Sequence, residues 1–209
     1  MNLTKQQISD VAKSIKCTYA AFMAFIEVES NGKGFSDVTG KLVIQFEPSY
    51  FKKTYADWKK ATSNTVWLNN GVGNQTEEWK AFNDAFKISP DAAMQSCSIG
   101  LGQIMGYHYK MLGFKTVGEM WDFAKGYDCI TKTYDKNRGE YNQVILIARF
   151  IAANQTLLRT LQKLKLTIAD FDTIAKQYNG LYYKELAVKI GREPYDKTMF
   201  RAYNKYLAA

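Results

Sequence analysis

The chain has 209 residues, of which 46% are hydrophobic and 14% are aromatic. This composition excludes general disorder, and the length fits one globular domain over residues 1–209. The net charge of +8, from 28 Lys and Arg against 20 Asp and Glu, suits a polyanionic neighbourhood. Because the lysines are dispersed and no nucleic-acid-binding module accompanies them, we predict no nucleic-acid partner.

The N-terminal segment and the cysteines restrict where the protein is made and which chemistry it uses. The segment MNLTKQQISDVAKSIK lacks the apolar stretch and cleavage site of a secretory signal, so we expect synthesis in a cytoplasm without export by that route. No apolar run approaches the ~18 residues that a membrane span needs. Cys17, Cys97 and Cys129 are widely separated, so we expect reduced and mostly buried thiols, and we predict no metal site and no cofactor.

Two helices are predicted at the start of the chain. Thr4 with Gln7 forms a capping-box pattern ahead of apolar residues at helical spacing, which predicts a helix over about residues 4–16. Residues 18–29 contain no Gly or Pro and run into Ser-Asn-Gly at 30–32. This pattern predicts a second helix that stops at a glycine-bearing loop.

The next segment carries the strongest β signal. Thr-Gly-Lys at 39–41 is a turn sequence and residues 42–46 are an apolar, β-branched run, so we predict a small β-hairpin. Pro48 is placed to open a short helix, and residues 63–74 are predicted as a surface loop. Further helices are predicted over 76–87, 90–97, 100–111, 116–125, 138–153, 155–164, 167–178 and 183–207. The predicted fold is therefore mainly α, with the hairpin as a small insert.

Glu29 is the main candidate for a catalytic residue. At about 100° per residue it shares a helix face with Phe22, Phe25 and Ile26, whereas Glu27 lies on nearly the opposite side. Apolar neighbours and the C-terminal end of the helix dipole both raise the pKa of such a carboxyl group. A group of this kind can donate a proton near neutral pH, as glycosidic bond cleavage requires. An isolated Glu with these features would more often be an ordinary surface residue.

Three separated segments resemble motifs of the lysozyme and lytic transglycosylase superfamily. Glu29-Ser30 is similar to the Glu-Ser signature at which the superfamily places its general acid. Residues 98–105, Ser-Ile-Gly-Leu-Gly-Gln-Ile-Met, are similar to its Gly-Leu-Met-Gln-Ile substrate-groove motif, and residues 177–180, Gln-Tyr-Asn-Gly, to its Ala-Tyr-Asn motif. Three motifs in the correct order are much more specific than any one of them.

More narrowly, residues 26–35, 44–47 and 100–107 resemble the N-acetylmuramidase domain of bacteriophage endolysins, over roughly residues 15–206. The resemblance implies a lysozyme-like helical domain that cleaves the β-1,4 bond between N-acetylmuramic acid and N-acetylglucosamine, with Glu29 as general acid. It leaves no room for a separate wall-binding domain. The alternatives are a lytic transglycosylase with 1,6-anhydromuramic products, and a non-catalytic basic protein that binds cell wall or nucleic acid.

The same resemblance implies substrate contacts from Ser30, Gly100, Leu101, Gln103, Ile104, Tyr178 and Asn179. The glycines at 100 and 102 either let a sugar approach the backbone closely or serve tight packing, and the sequence favours neither. The amide of Gln103 can both donate to and accept from a sugar. Tyr178 and Asn179 can stack on and hydrogen-bond to a sugar, or form a structural helix end.

Glu47 is a candidate second acid, because the resemblance places a polar group after the predicted hairpin. A separation of ~6.5–9.5 Å from the first acid suits an inverting mechanism, and ~5–5.5 Å a retaining one. The competing interpretation is an ion pair with Lys52 or Lys53. Asp37 is a weaker candidate and is more typical of a turn.

The resemblance also implies a biological setting. We expect a monomer that acts on peptidoglycan glycan strands, with peripheral contact to anionic envelopes. An endolysin of this kind is made in the host cytoplasm and reaches the cell wall when the membrane is permeabilised. A phage tail lysozyme and an injected effector are the alternatives.

Overall fold

The computed structural model describes residues 2–57 and 74–208 of the protein. The chain forms two compact units. The first unit contains Lys33–Leu146 and the second contains Leu3–Gly32 with Ile147–Ala209. The predicted loop at 63–74 lies almost entirely outside the described residues.

Helices dominate both units, which confirms the mainly α fold class. In chain order they are α1 (Lys5–Ser14), α2 (Tyr19–Ser30), α3 (Pro48–Thr54), α4 (Gln75–Ile88), α5 (Pro90–Gln95), α6 (Val117–Lys125), α7 (Lys136–Ala153), α8 (Gln155–Leu161), α9 (Ile168–Asn179), α10 (Tyr183–Lys189) and α11 (Tyr195–Leu207). The strands are β1 (Ile44–Phe46), β2 (Cys97–Ile99), β3 (Ile104–Met105), β4 (Tyr127–Asp128) and β5 (Thr133–Tyr134).

The second unit is built around α2, whose residues from Ala20 to Ile26 are all buried. It packs against α11, which in turn packs against α9. Thr18 caps the start of α2, and its end is set by Asn31, which takes a left-handed conformation with φ 52°. The amide of Asn31 donates to the carbonyl of Glu27 at 2.9 Å, so the last turn is closed as the sequence predicts.

The first unit contains a three-stranded antiparallel sheet in the order β1-β2-β3. The register pairs Gln45 with Ser98 and Ser98 with Met105. Helix α4 packs against both β1 and α5. A separate two-stranded ribbon, β4-β5, was not predicted from the sequence.

The sheet corrects two sequence predictions. The turn at 39–41 closes only an isolated bridge between Phe35 and Leu42, and the apolar run pairs instead with β2, more than fifty positions along the chain. The helix predicted over 100–111 is wrong, because this stretch holds a turn, β3 and a short 3-10 helix. Gly100 with φ 67° and Gln103 with φ 44° lie in the left-handed region, which a right-handed helix cannot include.

Smaller differences concern the C-terminal third and the thiols. The helix predicted over 183–207 is two helices, α10 and α11, with Pro194 as the N-cap of α11. Cys17 and Cys97 are buried free thiols as predicted, whereas Cys129 is exposed. Within residues 2–57 and 74–208 no single helix has the length and composition to cross a membrane, and α7 with α8 meets both criteria only as a bent pair.

Candidate active site

Glu29 lies in the last turn of α2 and is half-buried in the second unit. One turn earlier, Phe25 and Ile26 are buried, as the helical spacing predicts. The ring of Tyr178 packs edge-on against Phe25 with centroids 5.2 Å apart, and against Phe150 at 5.3 Å. The predicted apolar surroundings of Glu29 are therefore present.

Tyr195 holds the Glu29 carboxyl group directly. Its hydroxyl donates a hydrogen bond to Oε1 of Glu29. The Tyr195 ring lies almost parallel to that of Tyr178, with an interplanar angle of 10° and centroids 6.2 Å apart. Because Tyr195 is the first residue of α11, the start of that helix fixes its position. Residues far apart in sequence thus meet at one carboxyl group.

The protonation state of Glu29 follows from its burial. Desolvation raises its pKa to about 8, so the carboxyl group is mostly protonated at neutral pH. The hydrogen bond from Tyr195 acts in the opposite direction, because a donated proton favours the charged form. Burial and the nearby Glu29 charge hold the pKa of Tyr178 well above its usual range, so Tyr178 stays a neutral phenol.

Glu27, on the same helix, behaves differently. Burial alone would raise its pKa, but hydrogen bonds from Lys205 and Tyr206, both at 2.6 Å, outweigh that effect and lower the pKa. Two carboxyl groups two residues apart on α2 are therefore held in opposite states. Of these two, Glu29 has the properties of a proton donor at neutral pH.

The other predicted residues of the second unit occupy distinct positions. The hydroxyl of Ser30 donates to the backbone carbonyl of Ile26 at 3.1 Å, which is a bond within α2. Asn179 is the last residue of α9 and is exposed. It lines a pocket of roughly 300 Å³ that Tyr195 also lines. The structure thus places Glu29 and Tyr178 around Tyr195, and Asn179 at the pocket beside it.

In the first unit, the Gly100–Ile104 segment is a hydrogen-bonded loop between β2 and β3. The amide of Gln103 donates to the carbonyl of Gly100 at 2.8 Å and accepts from the hydroxyl of Ser98 at 2.9 Å. The side chains of Leu101 and Ile104 are buried, so any substrate contact by these two would use backbone atoms. Substrate binding by this loop stays a prediction.

Gln143, which sequence reasoning missed, fixes this loop from α7. Its side chain accepts from the amide of Leu101 and donates to the carbonyl of Ala124, both at 2.9 Å. A Cβ atom at position 100 would lie 2.6 Å from the Gln143 side chain, so Gly100 serves tight packing here. The available signal was the helical spacing of Gln143 with Ile147 and Ile151, which places an amide on an apolar face.

Glu47 lies where β1 ends and α3 begins, and it is half-buried. Burial raises its pKa, opposed by a hydrogen bond of 2.9 Å from the Gln45 amide. Nearby, the buried carboxyl group of Glu78 accepts the backbone amide of Phe46 at 2.7 Å. Burial raises the pKa of Glu78 to about 7, and the charge of Glu47 adds to the effect. Asp37, by contrast, is exposed and pairs with Lys33 at 2.5 Å.

Glu78 was not predicted as a site residue. Its spacing to Ala81, Phe82 and Ala85 on α4 places it on the buried face of that helix, and this could have marked it as unusual. It supports the backbone of β1 immediately before Glu47.

Comparison with known proteins gives two findings. The family model for N-acetylmuramidase matches residues 18–207. Among solved structures, the crystal structure of a Burkholderia AP3 phage endolysin is similar to the chain, with a TM-score of 0.74 and 27% sequence identity, over 99% of this chain and 72% of that one. No significant match was found among curated proteins.

Proposed function

Since the chain belongs to the N-acetylmuramidase family, we propose that it hydrolyses peptidoglycan at the β-1,4 bond between N-acetylmuramic acid and N-acetylglucosamine, with Glu29 as general acid. The observation that carries this proposal is the half-buried Glu29 carboxyl group, which accepts a hydrogen bond from Tyr195 and has a pKa raised to about 8. Hydrolysis of this bond needs a proton donor for the departing sugar oxygen.

The surroundings of Glu29 suit both halves of a proton transfer. Before the transfer, burial keeps the carboxyl group protonated at neutral pH. After the transfer, a carboxylate remains among apolar groups such as Phe25, which is unfavourable unless it is hydrogen-bonded. The Tyr195 hydroxyl supplies that hydrogen bond at Oε1. The same contact restrains the orientation of the carboxyl group.

Analysis of the products tests the proposal. Purified peptidoglycan digested by the protein should give fragments with reducing muramic ends, which borohydride reduction and mass spectrometry identify. Products with 1,6-anhydromuramic ends would show that the protein is a lytic transglycosylase and not a hydrolase. In that reaction the same acid acts, and the muramic 6-hydroxyl attacks in place of water. Release of reducing N-acetylglucosamine ends would overturn the bond assignment.

Replacing Tyr195 by Phe should shift the alkaline limb of the pH–rate profile upwards. Glu29 must be protonated to act, so activity should fall as the pH rises through its pKa of about 8. Without the Tyr195 hydroxyl the carboxylate loses a stabilising donor, and the pKa of Glu29 should rise. The measurement is kcat/KM for a soluble glycan fragment from pH 5 to pH 10. An unchanged limb would show that Tyr195 has no influence on the charge of Glu29.

Glu47 is proposed as the second acid, because it is half-buried at the end of β1 and its pKa is raised by burial. Glu47→Gln should lower kcat by roughly 10–100-fold while KM changes little, since a group that assists the attacking water acts in the transition state. Glu77→Gln is the matched control, because Glu77 lies in the first turn of α4 outside this site. Equal activity of the two variants would remove Glu47 from the mechanism.

We propose a biological role like that of the similar phage endolysin, with the protein reaching the wall once the membrane is permeabilised. The net charge of +8 favours approach to anionic envelopes. Action as a monomer is part of the same proposal.

A further inference from the structure

The pocket beside Tyr195 is a separate feature of the second unit. It has a volume of roughly 300 Å³ and lies between the ends of α2 and α9, helix α10 and the start of α11. This volume is at the lower end of the range for small-molecule sites, about 300–1,000 Å³. Tyr195 belongs to both sites, because its hydroxyl contacts Glu29 and its side chain lines the pocket. A group bound here would therefore lie next to the proposed general acid.

One wall of the pocket is apolar and open to solvent. Leu186 and Ile190, both on the pocket lining, are 54% and 51% exposed. Side chains of this size usually bury most of their surface, so two neighbouring ones at a pocket favour an apolar ligand group. Asn179 and Thr198 add hydrogen-bonding groups to the lining.

The pocket lining carries one cation and one anion. Arg192 lines it, and no carboxylate in the described part of the chain pairs with its guanidinium group. Glu193 also lines it, but its carboxylate is already bound by Arg201 and by the Thr198 hydroxyl at 3.1 Å. Both contacts of Glu193 are made by Oε2, whereas the Arg192 guanidinium group has no carboxylate partner among the described residues. A guanidinium group recognises carboxylates by paired hydrogen bonds.

Helix α10 is held firmly although its outer face is exposed. Tyr183 and Ala187 are buried, and the Tyr183 hydroxyl donates to Asp172 at 2.7 Å. Lys184 pairs with the same Asp172 at 2.6 Å. These contacts tie α10 to α9, so the pocket wall is built before any ligand arrives.

We propose that this pocket binds the peptide stem carried by the muramic residue at the cleavage site, with the methyl groups against Leu186 and Ile190 and a carboxylate on Arg192. The proposal rests on the proposed function. Among the parts of peptide-bearing peptidoglycan, the sugars and the amide-linked lactyl group are neutral, whereas the peptide combines methyl groups with carboxylates. The lining carries the complementary chemistry, and its contact with Tyr195 places the stem beside the scissile bond. The enzyme therefore discriminates peptide-bearing glycan from bare glycan.

The test compares two substrates on three proteins. Peptidoglycan strands that carry peptides are compared with the same strands after an amidase has removed the peptides and the freed lactyl carboxylates have been capped as methylamides. Both substrates are digested by the parent, Arg192→Ala and Lys189→Ala proteins. Arg192→Ala should lower kcat/KM for the peptide-bearing strands by about tenfold or more, as expected for loss of a hydrogen bond to a charged group. It should leave cleavage of the stripped strands unchanged. Lys189→Ala, an exposed cation of α10 outside the pocket, should match the parent on both.

Equal losses on both substrates, or no loss on either, would overturn the peptide assignment while hydrolysis itself stands. A binding measurement separates this result from failure of the proposed function. Calorimetric titration uses the disaccharide that carries a dipeptide and the same disaccharide with its lactyl group as a methylamide. The parent should bind the peptide form more tightly, and Arg192→Ala should lose that difference. If the parent cleaves neither substrate, the hydrolase proposal fails, and the titration still decides whether the pocket takes a peptide.

Discussion

Glu29→Gln is expected to remove wall lysis, with the rate falling by roughly 10²–10⁴-fold, the usual contribution of a general acid. The amide keeps the size of the side chain and its contacts with the surrounding rings, but it has no acidic proton to donate. Its carbonyl can still accept from the Tyr195 hydroxyl, so the local geometry should survive. A zymogram with embedded peptidoglycan, followed by turbidity assays on purified walls, measures the loss. Circular dichroism verifies that the fold is retained.

Glu27→Gln is the matched control, because it makes the same chemical change two positions away on α2. Glu27 is bound by Lys205 and Tyr206. Losing the charge there should cost about 1 kcal/mol of stability at most and leave lysis intact. If Glu27→Gln abolished lysis as fully as Glu29→Gln, the assignment of the acid on α2 would be wrong.

Glu29→Gln, which should abolish lysis, should increase the stability of the fold at high pH. The pKa of Glu29 is raised from 4.5 to about 8 in the folded protein, so the folded state keeps this proton while the unfolded chain releases it. Its contribution to stability is therefore largest below pH 4.5 and is lost as the pH rises towards 8. Because Gln does not ionise, the variant should melt at a higher temperature than the parent at pH 9 and at a similar one at pH 4. An identical difference in Tm at both pH values would contradict a buried, proton-holding Glu29.

The features that sequence predicts correctly are local ones. The capping box at Thr4, the helix stop at Asn31 and the apolar face that carries Glu29 all depend on residues within a few positions of each other. Short-range spacing therefore fixes where the acid lies on its helix. The hydrogen bond from Tyr195 comes from 166 positions away, and no local pattern indicates it.

The strands of the three-stranded sheet depend on residues that are distant in sequence, so local patterns did not predict their pairing. The predicted helices over 90–97 and 100–111 left only residues 98 and 99 between them, and no strand was predicted there. In the structure β2 is stabilised by pairing with β1. Pairing partners that far apart leave no periodicity in either segment. Gly100 and Gln103 were recognised as motif residues, whereas their left-handed backbone conformations, which rule out a helix, become visible only in the fold. The roles of the buried Glu78 and Gln143 also depend on partners far away in sequence, because Glu78 accepts from the amide of Phe46 and Gln143 from that of Leu101.

Gln143→Leu should strongly destabilise the first unit. Gln143 is 1% exposed, and its side chain satisfies the amide of Leu101 and the carbonyl of Ala124. Leucine has a similar volume but leaves both backbone groups buried and unpaired, which costs about 1–3 kcal/mol each. The free energy of unfolding, measured by urea denaturation, should therefore fall by roughly 2–5 kcal/mol.

The activity of the Gln143→Leu variant tests whether Gln143 also positions the loop for substrate binding, in addition to stabilising the fold. Gln143 holds the backbone of the loop that carries Gly100 and Gln103, so the variant should also lose activity at temperatures where it remains folded. Gln155→Leu, the same change at an exposed position of α8, should alter stability by less than about 0.5 kcal/mol and leave activity unchanged. Full activity in a folded but destabilised Gln143→Leu protein would show that the loop needs no precise backbone position for substrate binding. The packing role of Gly100 would then account for its motif without any contact with a sugar.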